Sequence, residues 1–195
     1  MHTILIPSAH IKALLITAAV KDIRFYLNGI CFAGNRAMST DGHRAGIIRM
    51  PDCVQGEYIV PSELFAALKL GAKGSISVTF GEDLAVTCSY NGLTVTGKCV
   101  NGKFPDMTRV LPRTLSGEVA QFNAEYLGDL AKISKLLCPS EKFHAPTICH
   151  NGAYPALVDF LHAGYTHILM PIRAPIRAPK DYTKPTSAPA WAFGE

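Results

Sequence analysis

One pattern recurs three times in this chain and limits what it can fold into. Ile6-Pro7-Ser8-Ala9-His10-Ile11-Lys12-Ala13-Leu14-Leu15 is matched by Val60-Pro61-Ser62-Glu63-Leu64-Phe65-Ala66-Ala67-Leu68. A looser copy is Phe122-Asn123-Ala124-Glu125-Tyr126-Leu127-Gly128-Asp129-Leu130. Each places an apolar strand residue before a turn or capping residue (Ser8, Ser62, Asn123), then apolar positions at helical spacing. A period of roughly 55 to 60 residues marks an internal repeat of one supersecondary unit. Strand-like stretches follow each helix: residues 24–32, 37–40 and 45–50; then 75–80, 84–90 and 93–100; then 147–150, 156–162 and 166–172. Asn91-Gly92 predicts a tight hairpin, because both residues tolerate the positive φ it needs. Further turns are expected at Asn151-Gly152 and Ala163-Gly164. The fold class is therefore α+β, built from repeated strand-helix-three-strand modules.

Composition bears on what such modules would do. Hydrophobic residues make up 48% of the 195 and charged residues 17%, a surplus of apolar surface that favours an oligomer or a partner groove. No apolar run approaches the ~20 residues of a membrane-spanning helix, and the start Met1-His2-Thr3-Ile4 lacks the pattern of a signal peptide. A cytoplasmic location is expected. Six cysteines (Cys31, Cys53, Cys88, Cys99, Cys138, Cys149) show no CxxC spacing, so buried thiols explain them better than disulfides or a zinc site. No metal or cofactor is expected. A net charge of +4 permits nucleic-acid contact without demanding it.

The linking segment Gly102-Lys103-Phe104-Pro105-Asp106-Met107-Thr108-Arg109-Val110-Leu111-Pro112 ends one strand and re-aims the backbone towards the next unit. It resembles the segment that joins the second and third domains of the bacterial sliding clamp, the DNA polymerase III beta subunit. Three further stretches are similar to that family: Asp22-Ile23-Arg24-Phe25-Tyr26-Leu27-Asn28-Gly29, Thr40-Asp41-Gly42-His43-Arg44-Ala45 and Ile168-Leu169-Met170-Pro171-Ile172-Arg173. Ile59-Val60-Pro61 resembles the start of that domain's second helix. The resemblance implies the DNA clamp fold of a processivity factor. Residues 1–112 would form a clamp domain of two modules and residues 113–173 a single half-domain. This is one and a half domains, the pattern of a shortened clamp-like protein in the style of bacteria, phage or mobile elements. Family clamps close a ring of twelve modules, so three per chain imply four chains, each odd half-domain completed by a neighbour's.

The resemblance also implies the sites. A groove for clamp-binding peptides of polymerases, a loader or repair proteins would be formed by Thr40, Gly42, His43, Arg44, Ala45, Pro105, Val110, Ile168, Met170, Pro171 and Ile172. Aliphatic and Met side chains suit an adaptable apolar pocket for Leu and Phe anchors. Ala45 stands where the family commonly has a larger aliphatic residue, which would enlarge or shallow the pocket. The plain alternative is that these are core and turn positions. For contact with double-stranded DNA, without sequence preference, the candidates are Lys12, Arg24, Tyr26, Lys69, Lys73, Lys132 and Lys135. Ordinary solvated charge is the alternative there, and Glu63, Glu125 and Asp129 dilute any basic face. Asp41 and His43 invite an enzyme reading, but no GxSxG, HExxH, P-loop or paired carboxylates accompany them. A protein without catalysis is expected.

Residues 174–195 change character: Pro175, Pro179, Pro185 and Pro189 among small residues predict a flexible, extended tail. The tail carries the only tryptophan, in Ala190-Trp191-Ala192-Phe193. That aromatic pair reads either as a docking peptide or as an unremarkable end. Two functions remain open: a ring-forming clamp, and a clamp-like module that never encircles DNA but competes for or regulates clamp-binding proteins of a host replisome.

Overall fold

The computed structural model describes residues 1–162 and 164–172. Arg173 and the expected tail at 174–195 lie outside them, as does Ala163 of the expected Ala163-Gly164 turn. In chain order the elements are β1 (His2–Pro7), α1 (Ser8–Thr17), β2 (Gly29–Thr40), β3 (Arg44–Pro61), α2 (Ser62–Ala67), β4 (Ser75–Phe80), β5 (Ala85–Tyr90) and β6 (Leu93–Lys98). Then follow α3 (Ala124–Leu137), β7 (Thr147–Cys149), β8 (Ala156–Asp159) and β9 (Tyr165–Leu169). The strands form two antiparallel sheets, ordered β1-β4-β5-β6 and β2-β3-β9-β8-β7.

The first two repeats begin alike. Pro7 and Pro61 hold nearly the same backbone angles, φ −55° with ψ 134° and 135°, because the ring of proline fixes φ before each helix. The expected serine caps are not formed. The serines are instead the first helical residues, and the Ser8 hydroxyl donates to the Lys73 carbonyl at 2.9 Å. Asn123 does cap α3, its side chain accepting from the Glu125 amide at 2.9 Å.

The strands after α1 differ from expectation. Residues 24–28 are a 3-10 turn (Phe25–Leu27) rather than strand. Asn28 closes it by accepting from the Asp22 amide and donating to the Asp22 carbonyl, a local alternative to sheet pairing. The two expected strands 24–32 and 37–40 merge into β2, and β3 runs on to the start of α2, so two long strands stand where three short ones were predicted. Their ladder is interrupted by a register shift between Ala33 and Arg36. The Asn91-Gly92 hairpin is present, with φ of 47° and 79°.

β3 organises the interior because its side chains alternate between two covered faces. Ile48 faces the helices, in one core with Leu14 of α1 and with Leu130, Ile133 and Leu137 of α3. Ala45 and Ile47 face the other way, onto Leu27, Phe104, Met107 and Ile168. Gly46 lets α1 approach closely: a Cβ there would lie 2.9 Å from both Thr17 Oγ1 and Tyr165 Oη. The five-stranded sheet runs past the expected junction at Pro112, since β9 pairs with β3 from Arg44↔Leu169 to Ile48↔Tyr165. Among the described residues, no helix is long and apolar enough to cross a membrane.

Candidate functional site

The turn between β2 and β3 is built by its own side chains. Asp41 Oδ1 accepts from the His43 amide at 2.8 Å and the Arg44 amide at 3.0 Å, and Asp41 Oδ2 takes Arg44 Nε at 3.0 Å. Thr40 Oγ1 donates to the Arg44 carbonyl at 2.7 Å and accepts from the Gly42 amide at 3.0 Å. Gly42 has φ +95°, a conformation that favours glycine, and a Cβ there would push against the Arg24 guanidinium at 2.9 Å. The Asp41 carboxylate is thus fully engaged in holding the turn.

Arg44 ties this turn to α3. Its Nη1 donates to Asp129 Oδ2 at 2.7 Å, and its side chain is only 10% exposed. The guanidinium also lies 4.4 Å from the Tyr126 ring centre, a favourable cation–π distance. Burial opposes ionisation of Asp129, but hydrogen bonds from Lys132 and Arg44 outweigh it and hold its carboxyl below the usual range. Arg24 is held from the other side, forked on Asp22 at 3.0 and 2.7 Å and donating to the Asp41 carbonyl at 3.2 Å. That fork carries the Asp22 carboxyl down to about 2.

Next to the turn, the linking segment folds over the sheet. Asp106 caps a second 3-10 turn (Met107–Arg109) by accepting from the Thr108 amide, and Phe104 is buried with its amide donating to Glu57 Oε1 at 2.8 Å. After β9 the chain leaves the sheet, with the Met170 amide donating to the His43 carbonyl at 2.9 Å and the Ile172 amide to the Gln121 carbonyl at 2.8 Å. These three pieces enclose an apolar cavity of about 230 Å³. Of the predicted groove residues, Thr40, Gly42, Arg44, Ala45, Pro105, Val110, Ile168 and Met170 line it. His43, Pro171 and Ile172 line an adjoining, more open hollow, with Gly42 and Met170 shared between the two.

Sequence reading missed Leu27 and Met107 in the cavity and Asn123 and Tyr126 in the hollow. Leu27 and Met107 sit inside the very stretches that were singled out. Tyr126 stacks with His43 at 6.4 Å between ring centres, a contact across distant parts of the chain that no local pattern signals.

The DNA candidates scatter. Arg24 and Tyr26 line the groove cavity. Lys12 is half-buried on α1, whose residues are all buried or half-buried. Lys69 and Lys73 lie on the loop before β4. Only Lys132 and Lys135 stand exposed on a helix, and Lys132 is paired with Asp129 at 2.6 Å. No cluster of three or more metal-ligating side chains is present among the described residues.

No protein-family model matches the chain. Among curated proteins it is similar to the beta sliding clamp of Pseudomonas putida, 36% identical over 106 residues, covering 49% of this chain and 29% of that protein. The beta sliding clamp of Escherichia coli K12 is 32% identical over 123 residues, covering 55% of this chain and 33% of that protein. The chain therefore spans about a third of the length of these relatives. Among solved structures, the DNA polymerase III subunit beta from Pseudomonas aeruginosa matches with a TM-score of 0.65 at 21% identity, over 89% of this chain and 67% of that one. A sliding clamp from Bartonella birtlesii bound to griselimycin matches with a TM-score of 0.67 at 20% identity, over 88% and 66%. The chain is similar in sequence over about half its length, and in fold over 89% of it, to the bacterial DNA sliding clamps.

Proposed function

We propose that this chain is a sliding-clamp-like processivity factor for DNA replication or repair. It assembles into a ring around duplex DNA and binds clamp-binding peptides of polymerases, a clamp loader or repair proteins in the groove beside Met170. The observation that carries this reading is the meeting of the 40–45 turn, the 102–112 segment and residues 168–172 around one apolar cavity. A cavity with Met170 and Met107 in its wall adapts to Leu or Phe anchors, and the tied arginines at its rim fix the turn that shapes it. No catalytic step belongs to this reading. Residues 1–112 and 113–173 act as a full and a half clamp unit, and four chains supply the twelve modules of a ring.

A second reading is favoured by the scarcity of free cations on the helices: a module that binds the same peptides without encircling DNA, as a competitor or regulator of clamp-binding proteins. The two readings share the groove and differ in assembly. Met170→Ala is expected to weaken binding of a synthetic clamp-binding peptide by tenfold or more in a fluorescence titration. Unchanged affinity overturns the groove in both readings. Solution mass by light scattering separates them: a tetramer retained on circular plasmid supports the ring, and a monomer that binds peptide but not plasmid supports the regulator.

A further inference from the structure

The groove cavity opens beside the point where the described chain stops. Met170 lines it, Ile172 lines the adjoining hollow, and residues 173–195 follow directly. We propose that this following segment is itself a groove ligand, with Trp191 and Phe193 as anchors seated in the cavity of the same chain. The inference rests on the groove reading and names an occupant that competes with any outside peptide.

Three observations support it. First, the cavity is apolar and its wall is thinned at one place: Ala45, 3% exposed, lies between Thr40 and Ile168 where a larger side chain would narrow the space. A wide apolar seat suits an indole, which hides a large area at little cost in rotamer freedom. Second, two of the three aromatic residues of the segment, Trp191 and Phe193, stand two positions apart, with Tyr182 nine residues before Trp191, so they can act as one short anchor. Third, the reach is ample. The 19 residue steps from Ile172 to Trp191 span at most roughly 65 Å when extended, while the cavity is bordered by Met170, two residues before the start of that span. Tethering holds the anchor at an effective concentration on the order of 1 mM. A segment whose own dissociation constant is ~100 μM would then weaken a competing peptide about tenfold.

Because Trp191 is the only tryptophan, its fluorescence reports on the seat. The full chain is expected to show blue-shifted emission that moves to the red when a saturating synthetic peptide with Leu and Phe anchors is added. Met170→Ala is expected to cause the same red shift without peptide. The double substitution W191A/F193A is expected to bind that peptide about tenfold more tightly than the unmodified chain. Water-exposed emission that peptide binding does not change, with equal affinities for the two proteins, overturns the inference and leaves the groove reading standing. If neither protein binds the peptide, the groove reading fails, and the response of Trp191 to Met170→Ala then decides the contact alone. A blue shift that grows with protein concentration overturns the in-chain contact in favour of exchange between copies.

Discussion

The two faces of the five-stranded sheet are covered in opposite ways. On the helix face, Ile48, Tyr165 and Leu169 are sealed under α1 and α3 in a continuous core, and even the polar His167 is fully buried there. On the other face, the segment at 102–112 covers only part of the sheet and leaves a cavity whose rim is polar and tightly tied. Successive residues of one strand, Ala45 and Gly46, serve these two ends: Ala45 leaves space in the cavity wall and Gly46 makes room for a helix. A packed face gives the scaffold its stability, and that rigidity lets the opposite face hold the shape of its cavity.

The contrast can be broken hardest at Arg44, which reaches from the turn to α3. Arg44→Met leaves Asp41 and Asp129 without their shared partner. Lys132 still pairs with Asp129 and the turn amides still hold Asp41, so the substitution is expected to cost about 2 kcal/mol in urea unfolding, the loss of hydrogen bonds to charged groups, and to weaken groove-peptide binding. A loss below ~1 kcal/mol would show that water supports both carboxylates and that the rim is not locked by this tie.

The sealed face makes its own prediction through His167. Its Nδ1 lies 3.1 Å from Tyr165 Oη, and its Nε2 has no partner among the described residues. Burial, aided by the charge of Arg44, lowers its pKa to about 3. The unfolded chain protonates this group near pH 6.5, so between the two values it binds more protons than the folded protein does. Stability is therefore full above pH 6.5 and falls as pH drops, by up to about 1.4 kcal/mol per pH unit. His10, lowered by burial and by His162, acts in the same sense. His167→Gln is expected to flatten the dependence between pH 6.5 and 5 in denaturant titrations, while a slope equal to that of the unmodified chain would mean that water reaches this face.

The smallest effect is expected from the outward side of α3. Substituting Lys132 and Lys135 with Ala should lower binding to duplex DNA two- to fivefold at low salt and flatten its salt dependence by about one to two ions, leaving peptide affinity unchanged. If DNA binding is unaffected, the helix face has no part in it.

Local chemistry carried much of this in advance. The three helices begin within a residue of where the repeated pattern placed them, because proline geometry before the first two, the Asn123 cap of the third and apolar spacing act over a few residues. The hairpin at Asn91-Gly92 needs only its two turn residues. The stretch at 24–32 was harder to read, since whether Arg24 to Asn28 pair in a sheet or close on Asp22 depends on competing hydrogen bonds of similar worth.

The site divides the same way. Sequence by itself determined the turn at Asp41 to Arg44, the linking segment and the strand before Met170, because each is encoded in consecutive residues. It also determined that an apolar groove is chemically possible. Only the tertiary structure decided that Tyr126 lines the hollow beside the cavity, that Arg44 reaches Asp129, and that Arg24 lines the cavity rather than standing with the helix lysines. Those contacts join residues up to 85 positions apart, and their geometry is set by how β9 pairs with β3 and how α3 packs on α1, which no single stretch of sequence specifies.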